Sequence, residues 1–186
     1  MFKIIIGILV VGSMIAAGNM YSNKADDVEF VTSTDSLGQF VENLDFGATL
    51  YNGTHEDIVE LLDALKSKYQ GKAVILDLWG TFCGPCLSDF KNSPAKKKEL
   101  LEMDVHVVYL CAGMSSNANE WKKIIKRDKL VGDHIYLDRR LSMAYREHFG
   151  IRNYPNYILL DTKGEFKQNI ISAVGDISIE RFKEHI

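Results

Sequence analysis

The chain has 186 residues, 46% of them hydrophobic and 25% charged, which is material for one core of ordinary size plus a tail. Its 22 basic and 25 acidic side chains leave a formal net charge of -3, so no electrostatic field draws it to nucleic acid.

The first residues are a different material. Lys3 precedes an apolar stretch from Ile4 to Ala17, interrupted only by Gly7, Gly12 and Ser13, and the small residues run on through Gly18. A charged start, an apolar run and a small-residue cleavage site predict a signal peptide over residues 1–18 and export to the cell envelope, periplasmic or secreted. The alternative is an uncleaved anchor, a membrane tether through residues 4–17, although the run is short of the about 20 apolar residues of a spanning helix. Residues 19–46 mix Ser, Thr, Asn and Asp with short apolar pieces such as Val28-Glu29-Phe30-Val31, and read as a tether with one possible edge strand.

The domain proper is expected over residues 47–186. Ala48-Thr49-Leu50-Tyr51 reads as a strand, Asn52-Gly53 as a turn, and Thr54 as the cap of a helix with Asp57 in its first turn and an apolar stripe of Ile58, Leu61, Leu62 and Leu65. Next comes Ala73-Val74-Ile75-Leu76-Asp77-Leu78-Trp79, whose β-branched and aliphatic run predicts a strand buried on both faces. Asp77 is a polar intrusion there. Burying a carboxylate without a partner is costly, so it is expected to stay partly protonated near neutrality; the bland alternative is an exposed edge position or a cap.

Trp79-Gly80-Thr81-Phe82-Cys83-Gly84-Pro85-Cys86 then sets two thiols three residues apart at a strand-to-helix junction. A helix N-terminus leaves amide hydrogens unpaired and carries about half a positive charge, which favours a thiolate. Cys83 is therefore the expected nucleophile, with a depressed pKa, and Cys86, one turn deeper, the resolving thiol. Pro85 suits an early helical position because its missing donor is an orphan there anyway. A zinc half-site is the competing reading, but Cys111 and five scattered histidines offer no ligand spacing, so no metal is expected.

Leu87, Phe90 and Leu100 or Leu101 continue a helical stripe, with Pro94 as the point of a bend. The run Lys96-Lys97-Lys98 reads as a solvated helix face. Val105 to Leu110 predicts a second buried strand, ending at Cys111, an odd thiol expected to pack as a small buried hydrophobe. A helix from about Ala118 to Lys126, a strand His134 to Leu137 and a helix from Leu141 to His148 follow, and the alternation argues for βαβ crossovers and parallel pairing. His106 and His148 are read as surface or satisfied histidines. Tyr157 to Leu160 and Glu165 to Ile171 predict a hairpin about Lys163-Gly164, and a closing helix starts near Ser178.

Over residues 45 to 186 the chain resembles thioredoxin-fold thiol-disulfide oxidoreductases, in particular the TlpA/ResA-like branch. The resemblance rests on Leu76-Asp77-Leu78-Trp79 followed by Cys83-Gly84-Pro85-Cys86, on Gly150 to Leu160 with Tyr154-Pro155, and on the extra strand and helix ahead of Pro155. It implies an α/β fold, a central mixed β-sheet flanked by helices. It also implies a cis bond before Pro155, with Tyr154 and Pro155 as the platform for an extended substrate segment, and Asp77 as the base that takes the proton from Cys86. Trp79 is expected beside the motif as packing support. Phe82, where many relatives carry tryptophan, is expected as an aromatic lid, and both are counted with the substrate-binding surface. The Gly-Pro dipeptide resembles that of reducing members, so the implied activity is reduction of protein disulfides, with oxidase or isomerase as the alternative direction. Implied partners are disulfide-containing clients and a membrane thiol electron donor, and the chemistry needs no cofactor. Thr81 stands two positions before Cys83, not the three of a thiol peroxidase, which disfavours that class. The intact cysteine pair speaks against a non-catalytic client-binding module.

Overall fold

The computed structural model describes residues 34–186; the expected leader and the Val28-Glu29-Phe30-Val31 piece lie outside the described residues. Along the chain run β1 (Thr34–Asp35), β2 (Gly38–Leu44), β3 (Ala48–Asn52), α1 (Ile58–Lys68), β4 (Ala73–Trp79), α2 (Gly84–Asn92), α3 (Pro94–Glu102), β5 (Val105–Ala112), α4 (Ala118–Asp128), β6 (Gly132–Leu137), α5 (Arg139–His148), β7 (Asn156–Leu160), β8 (Phe166–Gln168) and a short α6 (Ile179–Phe182). The strands form one sheet in the order β1-β2-β3-β6-β5-β4-β7-β8. Helical crossovers make β3, β6, β5 and β4 parallel, while β2 and β7 pair antiparallel on either side. This is the mixed sheet flanked by helices of a thioredoxin-like fold.

The two faces of the sheet are packed differently. On one, α1 and α5 lay Ile58, Leu61, Leu62, Leu65, Leu141 and Tyr145 over Val74, Leu76, Leu78, Val108 and Leu110. On the other, α2, α3, α4 and the C-terminal turns cover Ile75, Trp79, Tyr109, Cys111 and Tyr157. The strand β4 has no exposed residue, and its side chains alternate between these two clusters, which places Asp77 on the second face with Ile75 and Trp79.

Several expectations need correction. The segment read as a tether with one possible edge strand contributes β1 and β2 to the sheet from Thr34 to Leu44, anchored by the fully buried Leu37. The cap of α1 is Asp57, not Thr54: its carboxylate accepts from the Glu60 amide at 3.0 Å. The strand expected from Glu165 to Ile171 is only three residues long, because Asn169 turns the backbone to φ 61° and carries Ile171 into the core. The bend expected at Pro94 is a full break: Ser93 ends α2 and caps α3, and its hydroxyl donates to the Asp89 carbonyl at 2.6 Å. The lysine run is solvated only at Lys96 and Lys98, which pair with Glu99 at 2.7 Å and Glu102 at 3.9 Å. Lys97 turns inward over the Phe90 ring, three residues before the fully buried Leu100.

Candidate active site

The strand β4 ends at Trp79, and Gly80-Thr81-Phe82 leads into α2. The turn is closed by the Cys83 amide, which donates to the Gly80 carbonyl at 2.9 Å. A second loop, after β5, latches it: the Thr81 amide donates to Ser116 Oγ at 3.0 Å, the Asn117 amide to Thr81 Oγ1 at 3.4 Å, and the Tyr136 hydroxyl to the Ser116 carbonyl at 2.7 Å. Gly80 leaves room for the Phe82 ring, which a Cβ there would meet.

Cys83 is the N-cap of α2, and Pro85 lies in its first turn. The Cys83 sulfur accepts from the Cys86 amide at 3.2 Å, so an orphan donor of the helix points at the first sulfur. The two cysteines are joined as a disulfide. Access to them is unequal: Cys83 keeps 5% exposure beside the exposed Phe82, whereas Cys86 is sealed at 0%. The Phe82 ring, 53% exposed, stands edge-on to Tyr154 at 5.6 Å, and the Arg146 guanidinium lies 5.4 Å from the other ring's centroid. The Tyr154-Pro155 peptide is cis. Phe82, the residue before Cys83, and Tyr154 thus form an aromatic pair to which Trp79 does not belong. Trp79 is fully buried, packed edge-on to Phe90 at 5.0 Å, and its burial leaves no surface for a client.

Asp77, two residues before the end of β4 and on the face packed with the cysteines, is fully buried, and neither carboxylate oxygen has a hydrogen-bond partner among the described residues. Burial pushes its pKa up to about 7; the Lys97 ammonium pulls against this and the Asp89 carboxylate adds to it. Its partners in register are Tyr109 on β5 and Tyr157 on β7. Asp89, on α2, is itself well satisfied: it accepts from the Tyr157 hydroxyl at 2.9 Å and from the Gly175 and Val174 amides at 3.1 and 3.4 Å. It therefore ties the helix that carries the cysteines to β7 and to the turn after β8. His134 stacks flat on Tyr109 at 4.5 Å, and burial holds it down to about 3, so it is neutral. Cys111 is buried, and burial pushes its thiol up to about 12, which removes it from thiolate chemistry near neutrality.

Sequence reasoning missed Lys97, Asp89, Ser116, His134 and Arg146. Only Lys97 left a readable signal, since its position three before Leu100 puts it on the apolar stripe of α3.

A thioredoxin fold with a Cys-x-x-Cys disulfide at a helix N-terminus defines the class: a thioredoxin-fold protein of the redox-active kind. The comparisons with known proteins agree. The Redoxin family model matches residues 60–178, and the chain belongs to that family. It is 28% identical over 120 residues to the thiol-disulfide oxidoreductase ResA of Halalkalibacterium halodurans, covering 63% of this chain and 64% of the relative. It is 30% identical over 124 residues to ResA of Geobacillus kaustophilus, covering 64% and 66%. The chain thus spans a little under two thirds of the length of these curated relatives. Among solved structures, the thioredoxin domain of a thiol-disulfide oxidoreductase from Bacteroides vulgatus superposes with a TM-score of 0.54 at 20% identity, covering 62% of this chain and 82% of that one. A thioredoxin-family thiol:disulfide interchange protein from Chlorobium tepidum gives 0.52 at 19%, covering 64% and 80%. Family and fold carry the resemblance to the TlpA/ResA-like branch.

Proposed function

We propose that this chain is a thiol-disulfide oxidoreductase that reduces protein disulfides in the cell envelope. The reading is carried by one observation: the Cys83–Cys86 disulfide caps α2 with Cys83 at the solvent edge and Cys86 sealed on the face that holds Asp77. In the reduced protein the Cys83 thiolate, stabilised by the helix N-terminus, attacks a client disulfide and releases one client sulfur as a thiolate. Asp77 then accepts the Cys86 proton. The Cys86 thiolate attacks Cys83 Sγ, the internal disulfide forms, and the second client sulfur leaves as a thiolate and is protonated by water. Phe82, Tyr154 and Pro155 form the surface on which the client lies.

The direction rests on Gly84-Pro85, which resembles the dipeptide of reducing relatives. The envelope location and the tether through residues 4–17 rest on the leader composition. An exported reductant needs a membrane thiol donor to recharge it. Cys86→Ala removes the resolving thiol, so mixed disulfides are expected to accumulate on Cys83 and to be recovered as client adducts. Absence of any adduct would defeat the reading. Equilibration with glutathione is expected to give a potential near the roughly -270 mV of thioredoxins; a value near roughly -120 mV would reverse the direction.

A further inference from the structure

We propose that Arg146 is a positioning residue for client capture: its guanidinium clamps the segment from Ile151 to Tyr154 and so holds the Tyr154 peptide where an extended client meets it. The inference rests on the oxidoreductase reading above for what the client is, and on geometry for the clamp.

Arg146 lies in the last turn of α5, next to Tyr145, which is fully buried. The base of the clamp is thus fixed in the core. Past it the helix ends with Gly150 at φ 64°, a left-handed backbone that suits glycine, and the chain folds back over its own last turn. There the Ile151 amide donates to the Arg146 carbonyl at 2.7 Å and the Gly150 amide to the Glu147 carbonyl at 3.2 Å. This return brings two further carbonyls within reach of the Arg146 side chain. Its Nε donates to the Ile151 carbonyl at 3.3 Å and its Nη2 to the Arg152 carbonyl at 3.2 Å. One planar fork therefore spans two successive peptides, a geometry that the single ammonium of a lysine does not match.

The same guanidinium lies 5.4 Å from the Tyr154 ring centroid, within the range of a cation–π contact. Phe82 stands edge-on to that ring at 5.6 Å. The Tyr154 hydroxyl has no hydrogen-bond partner among the described residues, so the ring is held by Phe82, by Arg146 and by packing at the border of the two core clusters. Apart from the bonds named, no turn or loop bond of the main chain holds residues 152–155 among the described residues before β7 starts at Asn156. Arg146 supplies the restraint that the backbone does not.

Neither cysteine is among the hydrogen-bond or ring partners of Arg146, so its effect on the reaction passes through Tyr154. A client strand that pairs with a preordered peptide loses less conformational freedom on binding than one that must order the loop as well. The clamp therefore lowers the client concentration needed for capture. It leaves the chemistry at Cys83 and Cys86 as it is.

The test is ¹⁵N relaxation of the reduced full chain, read beside the kinetics of insulin reduction at saturating dithiothreitol. In Arg146→Met the order parameters of the Arg152, Asn153 and Tyr154 amides are expected to fall from about 0.85 to below about 0.6, with α5 and β7 still rigid. The KM for insulin is expected to rise about tenfold with kcat held within about twofold, and the rate at which iodoacetamide labels Cys83 to stay the same, since a small reagent needs no platform. Arg146→Lys, which keeps the charge and loses the fork, is expected to fall between Arg146→Met and the wild type. Arg139→Met, which removes the same charge from the exposed start of α5, is expected to change neither readout. Arg146→Gln is the second variant if Met does not fold. Order parameters unmoved by loss of Arg146, a fall in kcat with KM unchanged, or an equal effect from Arg139→Met overturns the proposal. The relaxation needs no client, so a clamp that is present in a chain without disulfide exchange sinks only the oxidoreductase reading, and exchange with a loop indifferent to Arg146 sinks only the clamp.

Discussion

The two faces of the sheet do different work, and β4 shows why. Its even-numbered side chains, Val74, Leu76 and Leu78, enter an aliphatic cluster under α1 and α5. On that side Asp133, near the rim, accepts from the Tyr69 hydroxyl at 2.7 Å and pairs with Lys68 at 2.8 Å. Its odd-numbered side chains, Ile75, Asp77 and Trp79, enter a face laced with polar groups: Asp77, Lys97, His134, Tyr109 and Tyr157. One face holds the fold together at little electrostatic cost. The other carries buried charge that a purely stabilising core would not keep.

Substitutions on each face sharpen this contrast. The largest effect is expected from Cys83→Ser, which removes the attacking sulfur and should abolish disulfide reduction, a loss of about a thousandfold or more in an insulin-reduction assay with the fold intact by circular dichroism. Asp77→Asn comes next, and its two effects oppose one another. Resolution of the mixed disulfide is expected to slow by about a hundredfold. Stability moves the other way, because a carboxyl pushed up to about 7 from an ordinary 3.8 retains its proton in the folded state while the unfolded chain loses it. That penalty is absent below about pH 4, grows between pH 4 and 7 and is complete above. The variant should therefore be more stable than the wild type at pH 8, by up to roughly 4 kcal/mol, and equal to it at pH 3, as read by denaturant titration.

On the aliphatic face, Leu76→Ala is expected to cost roughly 3 kcal/mol through the cavity it leaves, with no change in the pH dependence of the reaction. A shifted pH profile in that variant would break the division of labour. His134 gives the smallest effect. Held down to about 3 against an ordinary 6.5, it stays neutral in the fold while the unfolded chain takes up a proton, so its contribution is complete above pH 6.5 and lost as pH falls. Between pH 7 and 5 this removes about 2 kcal/mol, which His134→Gln should spare. Asp77 gains stability over the same interval, so the two residues offset one another, and acid sensitivity should be steeper in Asp77→Asn than in the wild type.

The elements that the residues made legible were those with a strong local pattern. The all-apolar run of β4, the Cys-Gly-Pro-Cys junction and the stripes of α1 and α4 each announce their own period. Less legible were features decided by contacts far along the chain. The cap of α1 went to Asp57 rather than Thr54, two residues that both suit the role. The segment before Phe46 is polar enough to read as a tether, yet β2 needs only Leu37 and pairing with β3 to join the sheet. Of the site, the cysteines and Asp77 were visible because a carboxylate in such a strand is out of place. Lys97 was not, since two neighbouring lysines that do face solvent disguised one that packs over Phe90 and Tyr109.

The account turns on unequal thiols: one at the solvent edge of a helix N-terminus, one sealed beneath it, and a third in the core. Limited alkylation of the fully reduced chain at pH 7, followed by mass spectrometry of its peptides, reads this directly. The account predicts label on Cys83 at least about tenfold ahead of Cys86, with Cys111 untouched until the chain unfolds. Equal labelling of Cys83 and Cys86, or label appearing first on Cys86, would contradict it.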